Sequence, residues 1–235
     1  MKVKALFISD THFGSKGSNA DKLLETLKKY EPKEIYLIGD IIDGWLLKKR
    51  VYWTQDFTNA IRKLLSFSKN GTKVTYVTGN HDDFLRSYSP ADLGNIQIVD
   101  KAEFNNYLII HGDQFDGVVK LKWLGVLGSI GYELAIYIDR IIKKLGFKYY
   151  LSSYLKRTVK SAVKFITDFE KQLAYQAFIN GNTGVICGHI HTPENKIIKV
   201  KDTNIHYLNS GDWIESNSYI VYSNNNGFEI KSYGQ

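Results

Sequence analysis

Four times within the first 113 residues, and once more near residue 188, an apolar run of strand length gives way to a short polar cluster. Residues 3–9 lead into Asp10-Thr11-His12, and residues 34–38 into Gly39-Asp40-Ile41-Ile42-Asp43. Residues 73–78 lead into Gly79-Asn80-His81-Asp82, residues 107–110 into His111-Gly112-Asp113, and residues 184–187 into Gly188-His189-Ile190-His191. Helical periodicity fills the early gaps. Residues 20–30 carry Leu23, Leu24 and Leu27 on one face, with Pro32 as the stop, and residues 56–68 carry a stripe of Phe57, Ala60, Ile61, Leu64, Leu65 and Phe67. Asn70-Gly71 reads as a turn. Strand, cluster and helix in alternation restrict the chain to an α/β fold, in which ligand groups gather beyond the carboxyl ends of strands.

The clusters hold five of the six histidines. Carboxylate, imidazole and amide oxygen recur in them without thiolate, which points to a catalytic divalent-metal centre rather than a structural zinc. Asp10 and His12 lie two apart, as do His189 and His191, a spacing that on extended backbone turns both side chains to one side. Gly39 lets the backbone at Asp40 approach a bound ion closely, and Asn80 offers a neutral ligand. The set supplies ligands for two ions a few ångströms apart with a shared carboxylate, the arrangement that performs in-line displacement at phosphorus. His81 is then the spare imidazole for the leaving oxygen. Each motif alone is ordinary turn chemistry; in this order, each after a strand, they are not.

At 235 residues the chain fits one domain. Strands are also expected at 96–99, 196–200, 204–208, 219–222 and 228–233, with Asn224–Gly227 as a hairpin turn. Between Gly117 and Gly188, nine Lys and two Arg stand against four acidic residues, which accounts for the whole +7 excess. This stretch is helical and aromatic in character, so we expect a helical insert at about 117–182 within a single domain, 1–235. Its Gly125, Gly128 and Gly131 read as helix packing, because a phosphate loop needs a preceding strand and a Lys-Ser/Thr. A local basic excess suits an anionic partner, and the apolar content favours a membrane surface over nucleic acid. Glu133 and Asp139 break any run approaching the ~20 apolar residues of a membrane span. One cysteine, Cys187, excludes an internal disulfide, and no signal peptide is evident; both suggest a cytoplasmic protein or one on the cytosolic face of a membrane.

Taken together, D-x-H, G-D-x-x-D, G-N-H-D, a histidine at a strand end and G-H-x-H resemble the signature of the calcineurin-like metallophosphoesterases. That resemblance covers the chain outside the helical segment. It implies a four-layer α/β sandwich, with two central sheets flanked by helices and a dinuclear site at their carboxyl edges. It assigns one metal to Asp10, His12, Asp40 and His191, the other to Asp40, Asn80, His111 and His189, and the general acid to His81. The ions it implies are two divalent metals, manganese first, with iron, cobalt or zinc as alternatives.

Residues 36–45, 79–86, 110–116 and 209–213 are similar to the branch containing UDP-2,3-diacylglucosamine pyrophosphatases, which cleave a nucleotide-linked lipid in lipid A synthesis. The established enzymes of that branch carry arginine where this chain has His81. The resemblance therefore implies the chemistry and leaves the substrate open to another phosphomonoester or phosphodiester, or to a scaffold role without activity. Asp43, Asp82, Asp113, Asp212 and Trp213 are candidates for orienting ligands or touching substrate. Trp45 reads equally as a substrate contact or as packing, and Asp116 as a partner orienting a metal-bound histidine or as a turn cap. His206 reads as a packing residue and Cys187 as a buried small hydrophobe.

Overall fold

The computed structural model describes residues 1–115 and 166–234. The chain divides into two compact units, Met1–Asp113 with Leu173–Gln235, and Gln114–Gln172. Of the second unit, residues 114–115 and the helical residues 166–172 are described. The expected insert at about 117–182, its glycine triplet and Asp116 thus fall largely outside the described residues.

The first unit holds two mixed sheets flanked by helices. Strands β1 (Lys2–Ile8), β2 (Glu31–Ile38), β3 (Lys73–Val77) and β5 (Ile96–Val99) run parallel at the centre of a seven-stranded sheet. β4 (Ala91–Asp92), β11 (Ser218–Ser223) and β12 (Gly227–Ser232) complete it antiparallel, in the order β12-β11-β1-β2-β3-β5-β4. The second sheet is ordered β6-β7-β8-β10-β9. Its centre, β7 (Tyr107–Ile109), β8 (Gly184–Cys187) and β10 (Thr203–Asn209), is parallel, and β6 (Ala102–Phe104) and β9 (Glu194–Val200) are antiparallel edges.

Alternation along β1 sorts two cores. Leu6 and Ile8 face helices α1 (Ala20–Lys29) and α3 (Gln55–Lys69), where Leu23, Leu27, Phe57, Ala60, Leu64 and Phe67 are buried. Ala5 and Phe7 face the other sheet, in a core that includes Tyr36, Ile38, Val77, Phe104, Ile109, Ile186 and Leu208. Phe7 stacks on Tyr36 at 5.1 Å between ring centroids and meets Phe104 edge-on. Leu173, Ala174 and Ala177, in the last turns of the helix over 166–179, are fully buried.

Most expected elements form, with informative departures. Pro32 is the second residue of β2, paired with Val3, so the strand begins three residues earlier than its apolar run. Proline is tolerated there because it sits at a strand's start, where its missing N–H costs little. Leu65 is half exposed, one step past the buried stripe of α3. A short helix α2 (Gly44–Lys49), capped by Asp43 accepting from Leu46 N–H at 2.9 Å, has too few residues for a periodicity to reveal.

Candidate active site

The five clusters meet at the carboxyl ends of β1, β2, β3, β7 and β8. Backbone bonds continue past the end of β1: Asp10 N donates to Gly39 O, His12 N to Asp40 O, and Phe13 N to Ile41 O, at 3.1, 2.9 and 2.8 Å. The expected extended backbone at the paired motifs is not what forms. Asp10, His12, Asp40, His189 and His191 all take positive φ, at 51°, 47°, 53°, 72° and 55°. The chain must turn at once after each strand, and a left-handed residue at every second position aims both side chains at one point. For non-glycine residues that conformation costs ~1–2 kcal/mol each, a strain typical of functional sites.

Gly39 also has a steric role. A side chain there would strike the His111 ring, and one on Gly188 would strike Asp10 and Ser9. These motif glycines vacate the space that a chemically important side chain from a neighbouring loop fills.

Donor atoms of Asp10, His12 and His191 lie within 4.8 Å of one another, as do those of Asp40, His111 and His189, and those of His12, Asp43 and His81. His111 Nδ1 donates to Ile38 O at 2.8 Å, which turns its Nε2 toward Asp40 Oδ2 at 3.2 Å. His12 Nδ1 lies 3.3 Å from Asp43 Oδ2, which turns its Nε2 toward His191 Nε2 at 3.2 Å. With Nδ1 so engaged, each Nε2 converges on other potential ligand atoms, an arrangement that suits a cation between them. Asp10 Oδ1, Asp40 Oδ2 and Asn80 Oδ1 are buried without a hydrogen bond, and such oxygens suit a bound divalent ion. Asp10 Oδ1 sits 3.1 Å from His191 Nε2, a contact of charge without hydrogen-bond geometry. The residues present thus fit a divalent-metal centre.

Electrostatics agree. Burial alone would raise the carboxyl of Asp10, yet His191, His111 and His12 hold it well below the usual carboxylate range. Asp40 is likewise lowered against burial by His111, and Asp43 by His12 and His81. Burial pulls His111 down, but Asp40 and Asp10 outweigh it and push the imidazole up to about 10.

The remaining candidates separate by contact. Asp43 serves two imidazoles, with Oδ2 at His12 and Oδ1 3.1 Å from His81 Nδ1. Trp45 lies on the His81 ring at 4.3 Å between centroids. Asp82, fully buried, accepts from Gly79 N–H, Ile41 N–H and Tyr76 O–H at 2.6, 2.9 and 2.6 Å. It staples the Gly39–Asp43 loop to the Gly79–Asp82 loop, and burial raises its carboxyl. Asp212 is spent on its own turn, accepting from Ile214 and Glu215 N–H and from Ser216 O–H. Trp213 is fully buried and stacked on Tyr219, so its ring packs in the core; its backbone N–H touches the site, donating to Asp10 O at 3.1 Å.

Two contributors escaped the sequence reading. Arg86 donates to Asp113 Oδ2 at 2.7 Å and to Thr78 Oγ1 at 3.3 Å, tying the loop of Asn80 and His81 to that of His111. Asn209 Nδ2 donates to Gly188 O at 2.9 Å and steadies the Gly188–His191 loop. Both stand inside stretches that carry the family resemblance, which was their available signal. His206 bonds Tyr107 OH and Asn195 Oδ1, remote from the clusters, and Cys187 is buried.

Comparison with known proteins places this geometry. A UDP-2,3-diacylglucosamine hydrolase from Porphyromonas gingivalis is 33% identical over 103 residues, 40% of this chain and 38% of that protein. The chain thus matches well under half the length of that curated relative. Among solved structures, a Vps29 variant from Entamoeba histolytica has a TM-score of 0.44 at 12% identity, covering 97% of this chain and 96% of its own. A Thermotoga maritima protein scores 0.44 at 18% identity, covering 98% and 99%. The model of the calcineurin-like phosphoesterase family matches residues 3–193, a span that contains all five clusters, and the chain therefore belongs to that family of metal-dependent phosphoester hydrolases.

Proposed function

We propose that this protein hydrolyses a phosphoric ester or pyrophosphate bond with two divalent ions, acting on a nucleotide-linked lipid of the UDP-2,3-diacylglucosamine type. The observation that carries the reading is the convergence of ligand atoms: Nε2 of His12 and His111, turned toward His191 and Asp40, beside the unbonded oxygens of Asp10, Asp40 and Asn80. In this reading Asp10, His12, Asp40 and His191 would hold one ion, and Asp40, Asn80, His111 and His189 would hold the other. Bound ions of this kind, manganese first and iron, cobalt or zinc otherwise, clamp phosphoryl oxygens and acidify water. His81 gives a proton to the leaving oxygen. Asp43 holds its Nδ1 side and Trp45 covers its ring, which leaves Nε2 as the transferring atom.

The lipid-linked substrate is supported by the Porphyromonas relative and by the quoted motif stretches, against the departure at His81. The basic segment at about 117–182 would grip acyl chains and an anionic membrane surface, placing the enzyme in the cytoplasm or on the cytosolic face of the inner membrane, in the lipid A pathway. Among the described residues no helix is long and apolar enough to cross a membrane. The test is incubation of manganese-loaded protein with UDP-2,3-diacylglucosamine and, separately, with a generic phosphodiester. We expect UMP release that His81→Ala slows by about two to four powers of ten. Cleavage of the generic ester alone would keep the chemistry and reject the lipid.

A further inference from the structure

Exposed apolar side chains are not spread evenly over the described surface. Trp45, Leu46, Val51 and Trp53 are 45, 40, 78 and 40% exposed and fall within nine consecutive residues. Phe84, also exposed, adjoins them, because a side chain built on Gly44 would strike its ring. Lys48, Lys49 and Arg50 stand exposed between the two tryptophans, and no acidic residue occurs from Gly44 to Gln55. Both indoles are held from below. Trp45 rests on His81, and Trp53 donates from Nε1 to Thr58 Oγ1 at 3.0 Å and meets Phe57 edge-on.

We propose that Gly44–Trp53, with Phe84, is a docking surface for an anionic lipid bilayer. Tryptophans suit the headgroup level, with an apolar body and one polar N–H. Leu46 and Val51 gain from hydrocarbon, whereas a nucleic-acid backbone would use the cations and leave those aliphatic groups in water. A second copy of the chain would have to bring a matching acidic face. The surface adjoins the candidate active site directly: Gly44 N donates to His81 O at 2.9 Å, and Asp43, which caps α2, contacts both His12 and His81. Docking through it sets the exposed side of His81 toward the bilayer, where a lipid-borne phosphate would lie. The surface itself does not depend on which ester is cleaved.

The test is sedimentation of the full chain with vesicles of equal parts phosphatidylcholine and phosphatidylglycerol, beside pure phosphatidylcholine. Binding to the anionic vesicles that falls with salt is expected, with a blue shift of tryptophan emission. Lys48→Ala/Lys49→Ala/Arg50→Ala should lower partitioning about a hundredfold, since each cation near such a surface is worth ~1 kcal/mol. Val51→Asp should lower it about tenfold, a fold-change comparable to withdrawing one buried aliphatic side chain from hydrocarbon. Both variants should hydrolyse a small soluble aryl phosphate as the parent does, showing an intact site. Undiminished binding by both variants would move the contact to another surface and overturn the proposal. Equal binding to neutral vesicles, or DNA binding lost by the same substitutions while vesicle binding persists, would overturn it too. Failure to cleave UDP-2,3-diacylglucosamine with vesicle binding intact would sink the substrate reading alone.

Discussion

The two halves of the candidate site are built on different principles. Around Asp40, His111 and His189 everything is fully buried, and the orienting partner of His111 is a backbone carbonyl. Around His12, Asp43, His81 and His191 the orienting partner is a carboxylate, and the side chains of His81 and His191 are 23 and 29% exposed. A backbone carbonyl does not titrate, so this partner stays an acceptor across the pH range. A shared carboxylate responds to charge, stabilises an imidazolium, and sits where a leaving group can arrive. Both halves gather groups that could hold an ion; the open half is also suited to moving a proton.

Several substitutions would break or sharpen that contrast. The largest effect belongs to the open half: His81→Ala should slow turnover by about two to four powers of ten while metal content stays unchanged. Metal analysis of the purified variant checks it, and loss of an ion would reassign His81 to the ligand set. Asp40→Ala should instead strip both ions, as a shared ligand must. Next in size is Arg86→Ala, which unties the Asn80 loop from the His111 loop. We expect binding of one ion to weaken about 10–100-fold, the usual cost of removing a partner behind the ligands, and titration calorimetry with manganese would resolve it. Equal weakening at both ions would assign Arg86 to the fold at large.

Smaller effects concern stability without metal. His111→Ala removes a buried ring and orphans the Ile38 carbonyl, so urea unfolding should show a loss of ~1–3 kcal/mol. His191→Ala, on the partly exposed side, should change stability by less than ~1 kcal/mol. The pH dependence follows from the same contrast. His111 is raised from 6.5 to about 10 in the folded chain, so its contribution is complete below pH 6.5 and is lost as pH rises through 10. Asp43 is lowered, so its contribution is present above its ordinary value of 3.8 and is lost as pH falls below it. Metal-free protein should therefore be most stable between about pH 4 and 6.5. The alkaline loss should vanish in His111→Ala, and its persistence there would point to another group.

How much of this was legible in the chain depends on how far apart the determinants lie. Strand runs, helix stripes and the polar clusters at strand ends are local, so the sequence determined the α/β class and the residues that would gather at one edge. Left to tertiary structure was the way they gather. The left-handed backbone at Asp10, His12, Asp40, His189 and His191 contradicts the extended reading, because spacing reports only which side a residue favours when the chain continues straight. That Asp82 staples two loops and that Trp213 is core rather than rim depends on partners up to 41 residues away for Asp82 and on packing against β11 for Trp213. Arg86 meeting Asp113 joins loops whose separation along the chain carries no periodic signal. Local periodicity fixes what each segment becomes; only packing brings donors from five strand ends within reach of one another.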